Sequence, residues 1–224
     1  MKYSKTEHCP EPSLLVEFSS GSLETAASIC VSAHLHFCAH CRETLCQLDQ
    51  VGSKLMEEAA EQLPRSPNDL MFNHIMHRIS QLNCKRKPLP SRRKSDFPPS
   101  VDKLISGDVK SLPWRRIAKS VHVAKLKTGQ NKFEVALHKI SAGGRTPKHD
   151  HQGLEYTVVL KGSFSDDISV YHQGDFILRR PGDIHQPISA QNGECICLSA
   201  QSAPIKLLSP LGFIMNKLLR VNPG

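Results

Sequence analysis

The apolar positions change period once along the chain. Pro12-Ser13 followed by LLVEF predicts a short first helix that stops near Gly21. Ser22 is placed to cap a second helix, LETAASICVSAHLHFCAHCRETLCQLDQVGSKLMEEAAEQL, which meets no proline before Pro64 and is interrupted only by Gly52. A third helix is expected from near Asn68 through DLMFNHIMHRISQL, with Leu70, Ile75, Ile79 and Leu82 at helical spacing. From about Val101 the runs become short and β-rich: VHVAKL, FEVALHKI, EYTVVLKG, FILRR and ECICLSA. Turn signals separate them, among them Thr128-Gly129-Gln130-Asn131, Gly143-Gly144 and Pro181-Gly182-Asp183. Many short strands at close spacing imply a β-sandwich or small barrel. The expected organisation is a helical domain over 1–84, a basic Pro-containing linker over 85–112, a β-domain over 113–208 and a tail over 209–224.

Charge sharpens that division. The chain of 224 residues carries 29 basic and 21 acidic side chains, a net of +8. Residues 1–84 hold 6 basic and 10 acidic groups, whereas KRKPLPSRRK, Lys85 to Lys94, holds six basic groups and no acidic one. Pro88 and Pro90 break this stretch and no aromatic interleaves it, so it reads as a solvated hinge before it reads as a nucleic-acid site. No apolar run approaches the roughly 20 residues needed to span a bilayer, and the first residues lack a secretory h-region. The expected setting is the cytoplasm, where eight cysteines read as metal ligands before disulfides. A helical unit of about 85 residues has a thin core and often needs a metal to hold it.

Two constellations carry chemistry. His34, Cys38 and Cys41 form H-x3-C-x2-C within the expected second helix. At about 100° per residue they fall at roughly 0°, 40° and −20°, on one stripe. Zinc takes four Cys or His ligands in a tetrahedron, and the fourth is expected from His8 or Cys9, just ahead of the first helix. In the second constellation His149 and His151 alternate on an extended segment, Glu155 follows near the start of EYTVVL, and His185 comes after a turn. Three imidazoles and a carboxylate suit a divalent metal ion, zinc foremost, with iron, manganese or nickel also compatible. His122, His138 and His172 read as ordinary strand or surface histidines, and Cys195 and Cys197 share one face of a late strand.

Gly143, His149, His151, Glu155 and Gly162 match G-x5-H-x-H-x3-E-x6-G, and the segment resembles the first cupin motif. Gly174 through His185 resembles the second, although the family's proline position is Arg180, with Pro181 following. The first 45 residues resemble the zinc-binding anti-sigma domain through H-x3-C-x2-C and LLVEFSSGSL. That family places an upstream histidine 25 residues before the motif histidine; the count from His34 lands on Cys9, with Pro10 after it and His8 before it. The resemblance therefore implies a small all-α zinc-binding domain followed by an all-β cupin (jelly-roll) barrel. In this order the pair resembles the ChrR family of transcriptional regulators. The resemblance implies a non-enzymatic anti-sigma factor that binds an extracytoplasmic-function sigma factor as a heterodimer, without direct nucleic-acid or membrane contact. It also implies release under singlet oxygen or peroxide stress through the cupin domain. A metal-dependent cupin enzyme of dioxygenase or isomerase type, and a DNA-binding regulator using KRKPLPSRRK, are the competing expectations.

Overall fold

The computed structural model describes residues 6–61, 69–82, 97–105 and 108–209, together with Asn216 and Val221. Lys85–Lys94 and nearly all of the expected tail lie outside the described residues. The helices are α1 (Pro12–Ser19), α2 (Thr25–Phe37), α3 (Ala39–Glu61), α4 (Asp69–Gln81) and α5 (Pro99–Ile105), followed by a 3-10 turn over Val109–Ser111. Twelve strands follow: β1 (Arg115–Ala118), β2 (Val121–Leu126), β3 (Glu134–Ile140), β4 (His149–His151), β5 (Glu155–Lys161) and β6 (Ser163–Ser165), then β7 (Val170–His172), β8 (Phe176–Arg179), β9 (Ile184–His185), β10 (Ile188–Ser189), β11 (Cys195–Gln201) and β12 (Ile205–Leu207). The five β-rich runs of the sequence are β2, β3, β5, β8 and β11.

These five strands and β1 form an antiparallel sheet in the order β1-β2-β3-β11-β5-β8. Two small sheets, β10-β6-β7 and β12-β4-β9, complete the barrel. Strand alternation gives the large sheet two buried faces. Val135, Leu137, Tyr156, Val158, Leu160, Ile196 and Leu198 lie on one face, in a single apolar cluster with Leu14, Leu15, Ala27, Cys30 and Val31 of the helices. Val121, Ile140, Val159, Ile177, Cys195 and Cys197 lie on the other, with Phe164 and Tyr171. Ala26, Ala27, Cys30 and Ala33 are small and fully buried, which lets α2 approach the sheet closely.

The structure divides the chain differently from the expected boundary at residue 84. Residues Met1–Leu48 cluster with Phe97–Gly224 as one compact unit, and Asp49–Asp96 form a second, so the division falls inside α3. The reason is the two-faced sheet: its helix-side residues need a cover, and α1, α2 and α5 supply it. Helix α5 itself lies in the stretch expected to be linker.

The expected second helix is two helices. Cys38 leaves helical geometry at φ −98° and ψ 109°, so α2 ends at Phe37 and α3 begins at Ala39. Arg42 makes the break tolerable by donating from Nη1 to the Leu35 and His36 carbonyls at 2.7 and 3.3 Å, groups that a continuing helix would have bonded. The single-stripe geometry expected for His34, Cys38 and Cys41 is therefore wrong, since Cys38 sits at the junction. Ser22 does not cap α2 either: the N-cap is Glu24, and Ser22 Oγ bonds Glu17 O and Ser20 Oγ.

Leu198 is fully buried at the centre of the shared core. Leu198→Ala is expected to destabilise the protein by about 2–5 kcal/mol through lost burial and the cavity left behind. Urea unfolding followed by circular dichroism measures this, and a loss well under 1 kcal/mol would show that the helices do not seal this face.

Candidate metal centres

The first centre forms where Thr6–Cys9 crosses the α2–α3 junction. One ligand atom from each of Cys9, His34, Cys38 and Cys41 lies within 4.8 Å of the others. Cys9 Sγ is 3.8 Å from Cys38 Sγ, and His34 Nε2 is 3.2 Å from Cys41 Sγ. His34, Cys38 and Cys41 are buried and Cys9 is half-buried. The His8 ring lies elsewhere, 4.8 Å from the Tyr171 ring, with Nε2 3.1 Å from Ser169 Oγ. His34 Nδ1 donates to the Gly174 carbonyl at 2.7 Å, which leaves Nε2 as the free lone pair at the thiols. Gly174 is the first glycine of the second cupin-like motif; its φ of +97° suits glycine, and a Cβ there would lie 2.6 Å from Phe37 Cβ.

Burial lowers the His34 imidazole and so favours the neutral form that can ligate. Burial also raises Cys9. At Cys38 the same burial is more than offset by hydrogen bonds from Thr6 and Cys41, which bring the thiol down to about 7. One thiolate is thus available near neutral pH, and a cation among the four groups would favour the rest.

The second centre lies inside the barrel. His149 and His151 share a face of β4, and His185 on β9 pairs with His149 in register. His151 Nε2 is 3.0 Å and His149 Nε2 3.1 Å from His185 Nε2. Each ring has its other nitrogen committed. His149 Nδ1 donates to the Pro147 carbonyl at 2.9 Å, His151 Nδ1 to Glu155 Oε2 at 3.0 Å, and His185 Nδ1 to Asp166 Oδ2 at 3.0 Å. With every proton on Nδ1, the Nε2 lone pairs of His149 and His151 both meet that of His185 at 3.0–3.1 Å, an arrangement that a cation relieves. The two clusters could therefore each hold a metal ion. Glu155 stands behind His151 rather than among the three converging nitrogens. Burial would raise its carboxyl, but the His151 hydrogen bond and the neighbouring imidazoles hold it well below the usual carboxylate range.

Asp166 escaped the sequence reading, because it belongs to neither motif. Its buried carboxylate accepts from His185 Nδ1, from Arg179 Nη2 at 2.6 Å, and from the Ile168 and Ser169 amides. Arg179 Nη2 also donates to Tyr171 Oη at 2.8 Å. No local periodicity marks an aspartate 19 residues before His185, so only the folded loop identifies it. Asp175 and Tyr156, neighbours of the motifs in sequence, are not in this cavity. Asp175 Oδ1 accepts from the Glu7 and His8 amides, and Tyr156 lies in the helix-side core. His172 is exposed as expected, but His138 lines the cavity and burial lowers its pKa. Cys195 and Cys197 share the inner face as expected, with sulfurs 3.6 Å apart.

Comparison with known proteins follows the same two parts. A sequence profile described as the ChrR cupin-like domain matches residues 102–203. The anti-sigma-E factor ChrR of Cereibacter sphaeroides is 31% identical over 216 residues, covering 96% of this chain and 98% of that protein. Among solved structures, the Rhodobacter sphaeroides SigE complex with the anti-sigma ChrR matches with a TM-score of 0.71 and 30% identity, over 87% of this chain and 98% of that one. The Streptomyces resistomycificus polyketide cyclase RemF matches at a TM-score of 0.42 and 19% identity, over 50% of this chain and 91% of that one.

Two outcomes follow from the ring geometry. Asp166→Asn removes the charge that orients His185 and is expected to weaken metal capture at the imidazole cluster about 10–100-fold, measured by chelator competition. In the metal-free protein, burial holds His149 down to about 4, whereas an unfolded histidine protonates near 6.5. Between those values the unfolded chain binds the extra proton, so stability is expected to fall by about 3 kcal/mol as pH drops from 6.5 to 4. Denaturant midpoints across that range check the sign; a rise toward pH 4 would contradict it.

Proposed function

This chain belongs to the ChrR family of anti-sigma factors, and we propose that it sequesters an extracytoplasmic-function sigma factor in a one-to-one complex in the cytoplasm. The observation that carries this is the full-length match: both the helical cluster and the barrel align with a relative that was solved bound to its sigma factor. The chain acts as a regulator, binding neither nucleic acid nor membrane. Among the described residues no helix is long and apolar enough to cross a membrane.

The unit Asp49–Asp96 supplies the surface. Helix α4 exposes Leu70, Met71, Phe72, Ile75, Met76 and Ile79, each between 46% and 79% accessible. Val51, Leu55 and Met56 on the distal part of α3 are exposed as well. An isolated helix of 13 residues gains little from its own backbone, so such a face calls for a partner's groove.

The thiol-rich cluster fits zinc. A tetrahedral centre with metal–sulfur bonds of about 2.3 Å sets its sulfurs roughly 3.8 Å apart, and Cys9 and Cys38 are 3.8 Å apart. When bound, the ion would neutralise the thiolates and cross-link three segments. Cys9 would hold the strap ahead of α1, His34 the end of α2, and Cys38 and Cys41 the start of α3. The imidazole cluster fits a divalent ion held by His149, His151 and His185, with Glu155 and Asp166 fixing two of the rings from behind.

The barrel reaches the thiol cluster through this chain's own groups. Glu7 and His8 donate their amides to Asp175, His8 O accepts from the Phe176 amide, and His34 donates to Gly174. The His8 ring rests on Tyr171, which accepts from Arg179, which pairs with Asp166 behind His185. Oxidative damage to the imidazole cluster, by singlet oxygen or a peroxide, would loosen this chain of contacts and lower affinity for the sigma factor. Each 1.4 kcal/mol lost weakens binding tenfold.

Metal analysis of the purified chain is expected to give about two ions per chain. His34→Ala is expected to lose the thiol-cluster ion and capture of the sigma factor, while Ile75→Asp keeps both ions and loses capture. Unimpaired capture by His34→Ala would show that the cluster does not organise the binding surface.

A further inference from the structure

The space inside the barrel beside the imidazoles is walled almost entirely by carbon. Strand alternation sets this: Val121 of β2, Ile140 of β3 and Cys195 of β11 make one row of the inner face, and His138 and Cys197 make the next. The cavity, of about 100 Å³, is bounded by Val121, Ile140, Phe164, Ile177 and Cys197, and His149 and His185 line it too. Ile117, 55% exposed, and the half-buried Ile205 also border it, so the cavity opens at the rim of the barrel.

The polar residues of this wall are occupied within it. Glu155 accepts from His151 through Oε2 and from Thr157 through Oε1, and Arg179 donates to Asp166 and Tyr171. The hydroxyl oxygens of Thr146 and Ser199, and Arg179 Nε, have almost no accessible surface. Burial lowers the pKa of His138 and keeps that imidazole uncharged at neutral pH. A buried water needs about three polar partners, and this space offers few. Left unfilled, the cavity forfeits dispersion contacts of its lining, which an apolar molecule of the right size restores. An anion is worse placed, because it would shed its hydration without a partner and meet the like charge of Glu155.

We propose that the cavity binds a small uncharged apolar molecule, hydrocarbon in character, beside the rings of His149 and His185. An apolar cavity of about 150 Å³ takes benzene, so one of about 100 Å³ takes roughly four or five carbons. The rim at Ile117 and Ile205 is aliphatic as well, so the molecule meets carbon from the mouth inward. The carbon wall is present whether or not an ion occupies the imidazoles, so the site does not depend on the metal reading above.

The test uses the full chain carrying carbon-13 at its isoleucine methyl groups, followed by nuclear magnetic resonance. Ile117, Ile140, Ile177 and Ile205 report on the cavity, and Ile75 and Ile79 on the exposed face of α4. Cyclopentane is titrated beside tetrahydrofuran, a ring of the same shape with one oxygen, and beside cyclobutanecarboxylate. Saturable shifts at the cavity isoleucines are expected with cyclopentane, binding more than about tenfold weaker with tetrahydrofuran, and none with the carboxylate. Ile177→Phe fills the space and is expected to abolish the saturable shift read at Ile140. Ile177→Val enlarges it and is expected to move the preference from cyclopentane toward cyclohexane, a reading that stands even if the larger side chain prevents folding. Cyclopentane shifts that are absent from the cavity isoleucines, or that rise linearly together with those of Ile75 and Ile79 as surface partitioning would give, overturn the proposal. Equal affinity for cyclopentane and tetrahydrofuran, or saturable binding of the carboxylate, overturns it as well.

Discussion

The His34 imidazole is the joint on which the rest depends. One nitrogen faces the thiols of Cys9, Cys38 and Cys41, and the other is bonded to the Gly174 carbonyl of the barrel. A ring can serve both only if its proton stays on Nδ1, and the short bond to a backbone carbonyl ensures that. The helical cluster and the β-barrel therefore share a wall. A position that reads as a turn glycine in a cupin-like motif accepts, through its carbonyl, the proton of His34, 140 residues earlier.

The same device recurs in the barrel. Four histidines in two unrelated settings each give Nδ1 to an acceptor and point Nε2 at a common centre. Burying a carboxylate such as Asp166 is costly unless every lone pair is used. Here Arg179, His185 and two backbone amides use them. The arrangement holds His185 in place and links it by direct contacts, through Arg179 and Tyr171, to the His8 strap beside the thiol cluster.

A regulator of this kind needs one part that is held firmly and another that is left unsatisfied. Residues up to Leu48 are packed with the barrel core, whereas the described residues of the unit Asp49–Asp96 expose most of their large apolar side chains. An apolar helix without its own core is stable chiefly when bound. The division inside α3 thus separates a packed part from an exposed one, a boundary that the basic stretch after residue 84 had suggested to lie further along.

Sequence by itself determined what is local. Alternation fixed β2, β3, β5, β8 and β11, and short motifs named six of the seven residues whose ligand atoms converge, because period and spacing are written within a few turns or strand steps. It could not show that Cys38 breaks a helix, since propensity favours continuing and the compensation comes from Arg42 and the cluster. It could not distinguish Cys9 from His8, one residue apart, until the strap was laid against Tyr171 and Asp175. Asp166 and Gly174 O gain meaning only from neighbours far along the chain. Those partnerships are set by how two buried faces of one sheet are covered, and that is a property of packing in three dimensions.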